Sequence, residues 1–136
     1  MKVNVLIMDD VTVVRERIVE ILAEIPKIGD IAQAIDTTSA VNLIAKYLPK
    51  VIILDIQVPG TPELRNGIDV LKWVRIHHPT SSVIMLSNFD IPRYREACTQ
   101  AGALHFFDKS REFEKLSGVV RQLLNDTAHS DRVPLT

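Results

Sequence analysis

The sequence predicts an α/β fold, a (βα)5 string in which five strands alternate with five helices and form a doubly wound parallel sheet. Short apolar runs of strand length alternate with amphipathic stretches of helix length along almost the whole chain. Runs such as Val51–Leu54 contain no polar residue, as expected for a strand covered by helices on both faces. Right-handed crossovers would place those helices on both sides of the sheet. The length of 136 residues suits one domain.

Five apolar runs, each followed by polar residues, predict the strands. Each run is too short for an independent helix. The predicted strands are Val3–Met8, Ile31–Ile35, Val51–Leu54, Val83–Leu86 and Ala103–Phe107.

Apolar residues at helical spacing predict a helix after each strand. Pro26 and Pro49 end the first two helices, and the third must end before Pro79. Gly102 is placed as the C-terminal cap of the fourth helix, and Ser110 can cap the fifth. The predicted helices cover residues 11–25, 41–48, 68–78, 91–101 and 113–124. The periodicity ends near residue 125, so residues 1–125 are predicted to form the domain and residues 126–136 a disordered tail.

Composition excludes several classes of protein. The formal charge of −1 and the pI near 6.4 give no basic surface for nucleic acid. No apolar run is long enough to cross a bilayer, and aspartates interrupt the start before a signal peptide could form. The single cysteine, Cys98, excludes an internal disulfide. We therefore expect a cytoplasmic protein that does not insert into a membrane.

Polar residues follow the predicted strands at the points where the strands end. Asp9 and Asp10 follow the first strand, Asp55 the third, Ser87 the fourth and Lys109 the fifth. The carboxyl ends of parallel strands share one edge of a sheet, and ligands bind there. Three carboxylates close together repel one another, and Mg²⁺ prefers oxygen ligands and commonly bridges carboxylates to phosphate. The sequence therefore predicts a site for a divalent cation and an anion of phosphoryl size.

With these motifs in this order, the chain resembles the receiver domain of two-component response regulators over about residues 2–125. The matching motifs are Asp9–Asp10, Leu54–Asp55, Ser87 and Phe106-x-x-Lys109. The resemblance implies a flavodoxin-like strand order, 2-1-3-4-5. Because no output domain accompanies the motifs, we expect a stand-alone regulator similar to the chemotaxis type, without direct DNA binding.

The resemblance also implies a role for each acidic residue. Asp10 and Asp55 would ligate Mg²⁺ together with the backbone carbonyl of Gln57, and Asp9 would act mainly through a bound water. Asp55 would be the phosphoacceptor and would attack the phosphohistidine of a histidine kinase or a histidine phosphotransfer protein. The domain would promote phosphorylation of its own Asp55 and slow hydrolysis of the product, without being an enzyme.

The remaining motif residues would respond to the phosphoryl group. Lys109 would neutralise its charge, and Ser87 would donate its hydroxyl hydrogen to one of its oxygens. Phe106 matches the family's switch aromatic and would turn inward when Ser87 moves. The face made by the fourth helix, fifth strand and fifth helix would then change shape and control a downstream protein.

Three positions vary within the family or depart from its pattern. Gln57 and Phe89 occupy the places that influence dephosphorylation, and a phenyl ring, which could exclude an attacking water but not orient it, would favour slow loss of phosphate. Ser110 stands where the family usually has proline after the lysine. The stretch from Pro59 to Gly67 is about four residues longer than the family's usual loop after the phosphoacceptor strand. It could screen the phosphoryl group, recognise a partner protein or be a neutral surface insertion.

Several alternatives remain at this level. The domain could relay phosphate instead of controlling a protein partner. It could be a Mg²⁺-dependent phosphohydrolase, although such enzymes typically carry an Asp-x-Asp motif after the first strand. It could be a receiver-like scaffold that is never phosphorylated, although the intact acidic set and Lys109 argue against this. Val11 and Val14 could be part of the core or an apolar docking patch for the helices that carry the donor histidine.

Overall fold

The computed structural model describes residues 2–89 and 91–132, with side chains described as far as residue 126. Five strands and five helices alternate in the order that the sequence predicts. The strands are β1 (Val3–Met8), β2 (Asp30–Ala34), β3 (Val51–Asp55), β4 (Ser82–Ser87) and β5 (His105–Asp108). The helices are α1 (Thr12–Ala23), α2 (Thr37–Tyr47), α3 (Gly67–His77), α4 (Pro92–Gln100) and α5 (Leu116–Arg132), and a 3₁₀ turn, Phe113–Lys115, precedes α5.

The strands form one parallel sheet in the order β2-β1-β3-β4-β5, which confirms the predicted fold class and strand order. Each face of the sheet carries its own apolar core. Helices α2, α3 and α4 cover one face, with Ile44 and Leu71 among the fully buried residues. Helices α1 and α5 cover the other face through residues such as Ile18 and Val120. Burial on both faces explains why β3 contains no residue that reaches the surface.

The strand register brings the carboxyl ends of four strands to one edge. Met8 of β1 pairs with Leu54 of β3, and Asp55 pairs with Leu86 of β4. Ser87 in turn pairs with Asp108 of β5. The residues that follow these pairs therefore converge at one edge of the sheet, as the sequence predicts.

Helix α2 begins earlier than its apolar periodicity predicts, at Thr37 instead of residue 41. Asp36 is its N-cap residue, and its carboxylate accepts a hydrogen bond of 2.8 Å from the backbone N–H of Ser39. The Ser39 hydroxyl oxygen in turn accepts a hydrogen bond from the backbone N–H of Asp36, which completes a capping box. The first residues of α2 after the cap are polar, so the apolar pattern does not include them and predicts a later start for the helix.

Helix α5 continues to Arg132, past the domain boundary at residue 125 that the periodicity predicts. Between Gly118 and Pro134 the sequence contains neither glycine nor proline, and nothing in it stops the helix at residue 125. Residues 133–136 lie outside the described part of the chain.

The lengthened segment from Pro59 to Gly67 is tied to the start of α2. The Thr37 backbone N–H donates to the carbonyl of Pro59, and the Thr37 hydroxyl donates to the carbonyl of Leu64 at 2.8 Å. Within the segment, Thr61 donates its backbone N–H to Leu64 at 2.8 Å. The extra residues therefore form a hydrogen-bonded turn with a fixed position beside the carboxyl end of β3.

Among residues 2–89 and 91–132, no helix has both the length and the apolar character that a bilayer crossing requires.

Candidate functional site

The structure brings the three predicted acidic residues together at the carboxyl edge of the sheet. One carboxylate oxygen from each of Asp9, Asp10 and Asp55 lies within 4.8 Å of the others. Asp9 is 1% exposed and Asp55 is 5% exposed, whereas Asp10 is open to solvent. The site thus has two buried carboxylates and one that an ion can reach from outside.

Lys109 extends from the end of β5 into this cluster. Its ammonium nitrogen lies 2.5 Å from an oxygen of Asp9 and 3.1 Å from an oxygen of Asp55. Its side chain is only 6% exposed, so water screens these pairs weakly. The backbone N–H of Lys109 also donates to the carbonyl of Ser87, which fixes the lysine to the end of β4. One buried positive charge therefore partly compensates the three carboxylates.

The Asp55 carboxyl has a perturbed proton affinity. Burial raises its pKa from the usual 3.8 to about 6. The ammonium group of Lys109 opposes this effect, the negative charge of Asp9 adds to it, and a hydrogen bond from the backbone N–H of Gln57 opposes it. Asp55 is consequently ionised only in part just below neutral pH. Any further positive charge at the site would stabilise its ionised form.

Asp9 has a structural role in addition to its place in the cluster. Its second carboxylate oxygen accepts a bond of 2.8 Å from the backbone N–H of Val11. Its carbonyl accepts a bond of 2.7 Å from the guanidinium of Arg15. Val11 is the N-cap of α1 and makes no side-chain capping bond, so Asp9 supplies an acceptor at the start of this helix. The helix-capping and ion-binding interpretations of Asp9 are therefore compatible.

Ser87 lies at the edge with its side chain completely buried. Its hydroxyl donates to the carbonyl of Phe89 at 3.1 Å and accepts from the Phe89 backbone N–H at 3.0 Å. The Phe89 ring is 51% exposed, and Gln57 is also exposed. In this conformation the Ser87 hydroxyl stabilises the turn after β4. Its hydrogen bond to the Phe89 carbonyl must break before it can donate to an anion at the cluster.

Phe106 is buried, with 6% of its surface exposed, and it packs into the core beneath α3 and α4. The guanidinium of Arg95, on α4, lies 4.6 Å above the centre of its ring and donates to the Phe106 carbonyl at 3.2 Å. Arg95 also pairs with Glu112 at 3.4 Å. Phe106 is therefore already buried while the Ser87 hydroxyl still bonds to Phe89, whereas the sequence predicts that the ring turns inward when Ser87 moves.

Two residues near the site were missed by sequence reasoning. Arg95 was not singled out, because nothing in the sequence indicates that it stacks on Phe106. Asp108 was not considered, although its place two residues before Ser110 is a pattern in which a carboxylate accepts from the backbone ahead of it. The Lys109–Ser110 peptide bond, left undecided by the sequence, is trans.

A cleft of about 390 Å³ opens beside Lys109, between α1 and the start of the last helical segment. Val14 and Arg17 line it from α1, and Phe113 lines it from the opposite side. The guanidinium of Arg17 lies 5.2 Å from the centre of the Phe113 ring. Val14 is partly buried and packs against the core under α1 and α5, whereas Val11 is 48% exposed, and the docking patch stays a prediction.

The donor set at the edge fits Mg²⁺. All three candidate side-chain ligands are carboxylate oxygens, the type that this ion prefers, and the exposure of Asp10 leaves room for the waters that the ion retains. Asp9, Asp10 and Asp55 would be the side chains that hold it.

Comparison with known proteins gives the same result as the fold and the site. The family model of the response regulator receiver domain matches residues 5–121. The transcriptional regulatory protein DegU of Brevibacillus brevis is 29% identical over 94% of this chain and 52% of its own length. A protein-glutamate methylesterase/protein-glutamine glutaminase of Shewanella frigidimarina is 32% identical over 82% of this chain and 27% of its own. The receiver domain of the Francisella response regulator 1452 superposes with a TM-score of 0.78 at 26% identity, covering 90% of this chain and 97% of that one.

The chain belongs to the receiver domain family of two-component response regulators. Such domains accept phosphoryl groups from histidine kinases on an aspartate and bind Mg²⁺ at an acidic pocket. They are generally not enzymes in themselves, and the methylesterase relatives have further catalytic domains that this chain does not match. The chain spans about half, or less, of the length of the first curated relatives that it resembles.

Proposed function

We propose that this receiver domain takes a phosphoryl group on Asp55 from a phosphohistidine and then controls a protein partner or passes the phosphate on. The observation that carries the proposal is the meeting of Lys109 with Asp9 and Asp55 at an edge where Asp10 is also exposed. A carboxylate nucleophile, an acidic cation site and a positive charge for the phosphoryl oxygens are the parts that such a transfer needs.

In the transfer, an ionised oxygen of Asp55 attacks phosphorus, the new O–P bond forms and the N–P bond to the donor histidine breaks. The histidine leaves with the electron pair of that bond and takes up a proton. Asp55 must therefore be ionised, and with a pKa of about 6 it is largely so at neutral pH. Lys109 already lies 3.1 Å from Asp55, so it can follow the oxygens of the incoming phosphoryl group without a large movement.

Mg²⁺ would be held by Asp9, Asp10 and Asp55 together with the backbone carbonyl of Gln57. It would supply positive charge against the phosphoryl oxygens and lower the repulsion among the carboxylates. Asp10 is exposed and is suited to bind the ion first, because the Asp9 carboxylate already forms an ion pair with Lys109.

The response would begin at Ser87. Its hydroxyl would exchange its bond with Phe89 for one to a phosphoryl oxygen, and the turn after β4 would move with it. This turn leads into α4, which carries Arg95 over the ring of Phe106. A movement of α4 would change the packing of Arg95 against the Phe106 ring. The face formed by α4, β5 and α5 would then present a different surface to a downstream protein.

The donor protein would dock beside the cleft next to Lys109. Val11 and Val13 at the start of α1 are 48% and 71% exposed, and Val14 lines the cleft below them. These side chains offer an apolar surface close to Asp55 for the helices of a histidine kinase or histidine phosphotransfer protein. We propose that this receiver domain acts in the cytoplasm.

Intact-mass spectrometry tests this proposal most simply. The purified protein is incubated with a small acyl phosphate, with Mg²⁺ or with a chelator. We expect one phosphate per chain in Mg²⁺ and none in Asp55→Asn. Asp30→Asn, which changes an exposed carboxyl at the opposite edge of the sheet, should react as the wild type does.

Two results would contradict the proposal. A protein that gains no phosphate under any condition would be a scaffold. Rapid release of phosphate from simple phosphate esters, without a lasting adduct, would favour the phosphohydrolase.

A further inference from the structure

The turn that follows β5 is built around the carboxylate of Asp108. One oxygen accepts from the backbone N–H of Ser110 at 2.8 Å and from the Ser110 hydroxyl at 2.6 Å. The other oxygen pairs with the guanidinium of Arg111 at 3.3 Å. The hydrogen bonds from Ser110 hold the pKa of the Asp108 carboxyl below its usual value, and the residue is 3% exposed. Asp108 thus closes a tight turn whose middle residue is Lys109.

The backbone on both sides of this turn is also fixed. The N–H of Asp108 donates to the side chain of Glu112 at 3.1 Å, and the N–H of Glu112 donates to the carbonyl of Asp108 at 2.8 Å. The N–H of Lys109 donates to Ser87 at 2.9 Å. Ser110, which follows Lys109, has no ring to fix its φ, so the backbone here depends on hydrogen bonds, among them the two that Ser110 donates to the Asp108 carboxylate.

We propose that Asp108 is a positioning residue for Lys109, and that it acts by holding the turn so that the lysine ammonium lies between Asp9 and Asp55. A lysine has a flexible four-carbon stem, so its ammonium is placed accurately only when its Cα is fixed. The distances of 2.5 Å and 3.1 Å to the two carboxylates depend on that placement. Asp108 does not touch the reacting atoms, and its whole effect passes through Lys109. The inference rests on the proposed transfer to Asp55.

Asp108→Ala removes the acceptor for Ser110 and tests the inference directly. At saturating Mg²⁺ we expect phosphorylation of Asp55 by an acyl phosphate to slow by about tenfold to a hundredfold, as a misplaced catalytic group does. The dissociation constant for Mg²⁺ should not rise, because Asp9, Asp10 and Asp55 remain and a displaced ammonium group competes less for two of them. Arg111→Ala removes the ion pair to the other oxygen of Asp108, in which the arginine side chain is 73% exposed, and it leaves both bonds from Ser110 in place, so the rate should stay unchanged.

A double-mutant cycle separates positioning from general stability. In a Lys109→Ala background, Asp108→Ala should cause no further slowing, because the lysine through which it acts is gone. Equal slowing with and without Lys109, or no slowing in either, would overturn the inference. If Asp108→Ala does not fold, Ser110→Ala and Asp108→Asn make the same comparison with smaller changes.

A second measurement does not depend on phosphorylation. In the free protein the buried Lys109 ammonium should give a slowly exchanging ¹H–¹⁵N signal, which Asp108→Ala should abolish and Arg111→Ala should keep. If the wild type takes up no phosphate but this signal behaves as stated, the proposed function fails and the positioning role stands. A signal that persists in Asp108→Ala would contradict the positioning role.

Discussion

The ammonium group of Lys109 and the carboxylate of Asp9 form an ion pair of 2.5 Å with both side chains almost completely buried. The same ammonium group lies 3.1 Å from Asp55. Lys109 therefore occupies the electrostatic centre of the acidic cluster and stabilises the two buried carboxylates that would otherwise repel each other. A divalent cation arriving at Asp10 has to share these carboxylates with the lysine.

Replacement of Lys109 by methionine should strengthen Mg²⁺ binding and slow phosphorylation. Removal of the lysine charge leaves Asp9 and Asp55 without their shared positive partner, so the ion gains several-fold in affinity. The oxygens of the phosphoryl group lose a partner in the transition state, and the rate falls. Calorimetric titration with Mg²⁺ and rates from intact mass measure the two effects. Weaker Mg²⁺ binding in Lys109→Met would show that the lysine supports the ion site and does not compete with it.

Asp55→Asn should stabilise the metal-free protein at neutral pH by about 2 kcal/mol, after allowance for partial solvent screening. The folded pKa of about 6 lies above the usual 3.8, so protonated Asp55 stabilises the fold fully below pH 3.8, and this contribution is lost as pH rises through 6. Above that pH the wild type holds a buried ionised carboxylate, which the amide avoids.

The gain should therefore shrink as pH falls from 6 to 3.8. Urea unfolding in a chelator, across this window and above it, measures the difference. Mg²⁺ should then stabilise the wild type more than Asp55→Asn. A variant that is less stable than the wild type in the chelator at neutral pH would show that the Lys109 pair outweighs burial at Asp55.

Gly67→Ala should distort the site, because a Cβ at this position would lie 2.1 Å from the backbone carbonyl oxygen of Asp55. Backbone must shift to relieve this contact, and we expect a loss of about 1–3 kcal/mol in the free energy of unfolding together with slower phosphorylation. Gly118→Ala is the matched control, since no atom lies within 4 Å of its Cβ and it is in α5. That variant should gain up to about 1 kcal/mol and react normally. Normal phosphorylation in Gly67→Ala would show that the site tolerates movement at the end of β3.

The exposed ring of Phe89 should make loss of phosphate from Asp55 slow. A phenyl ring can exclude water from the phosphoryl group but cannot orient an attacking one, whereas a carboxylate can. Phe89→Glu should therefore accelerate decay of the acyl phosphate several-fold, and Phe89→Leu should leave it close to the wild-type rate. Decay is followed by intact mass after removal of the donor. An unchanged rate in Phe89→Glu would remove Phe89 from the residues that tune dephosphorylation.

The sequence predicted the sheet and the acidic cluster because both follow from features that a linear pattern records. The apolar runs predicted the carboxyl ends of all five strands to within one residue, and parallel pairing then required Asp9, Asp55 and Ser87 to meet at one edge. Lys109 was predicted for the same reason, since it follows the last strand directly.

Features that depend on tertiary contacts could not be read in this way. The stacking of Arg95 on Phe106 joins side chains on α4 and β5, and no local pattern in the sequence predicts this contact. The Thr37 hydroxyl reaches the carbonyl of Leu64 across a long sequence separation, so the docking of the lengthened segment was equally hidden. The early start of α2 was missed for a different reason, because a capping box was present in the sequence but apolar periodicity was given precedence.

The central claim is that Asp55 is the acceptor, and chemical mapping tests it most directly. The protein is phosphorylated with an acyl phosphate in Mg²⁺ and reduced with borohydride, which converts a phosphorylated aspartate to homoserine, and its peptides are then sequenced by mass spectrometry. We expect homoserine at position 55 and unchanged aspartate at positions 9 and 10. Homoserine at position 9 or 10, or a phosphate that survives borohydride on another type of residue, would contradict it.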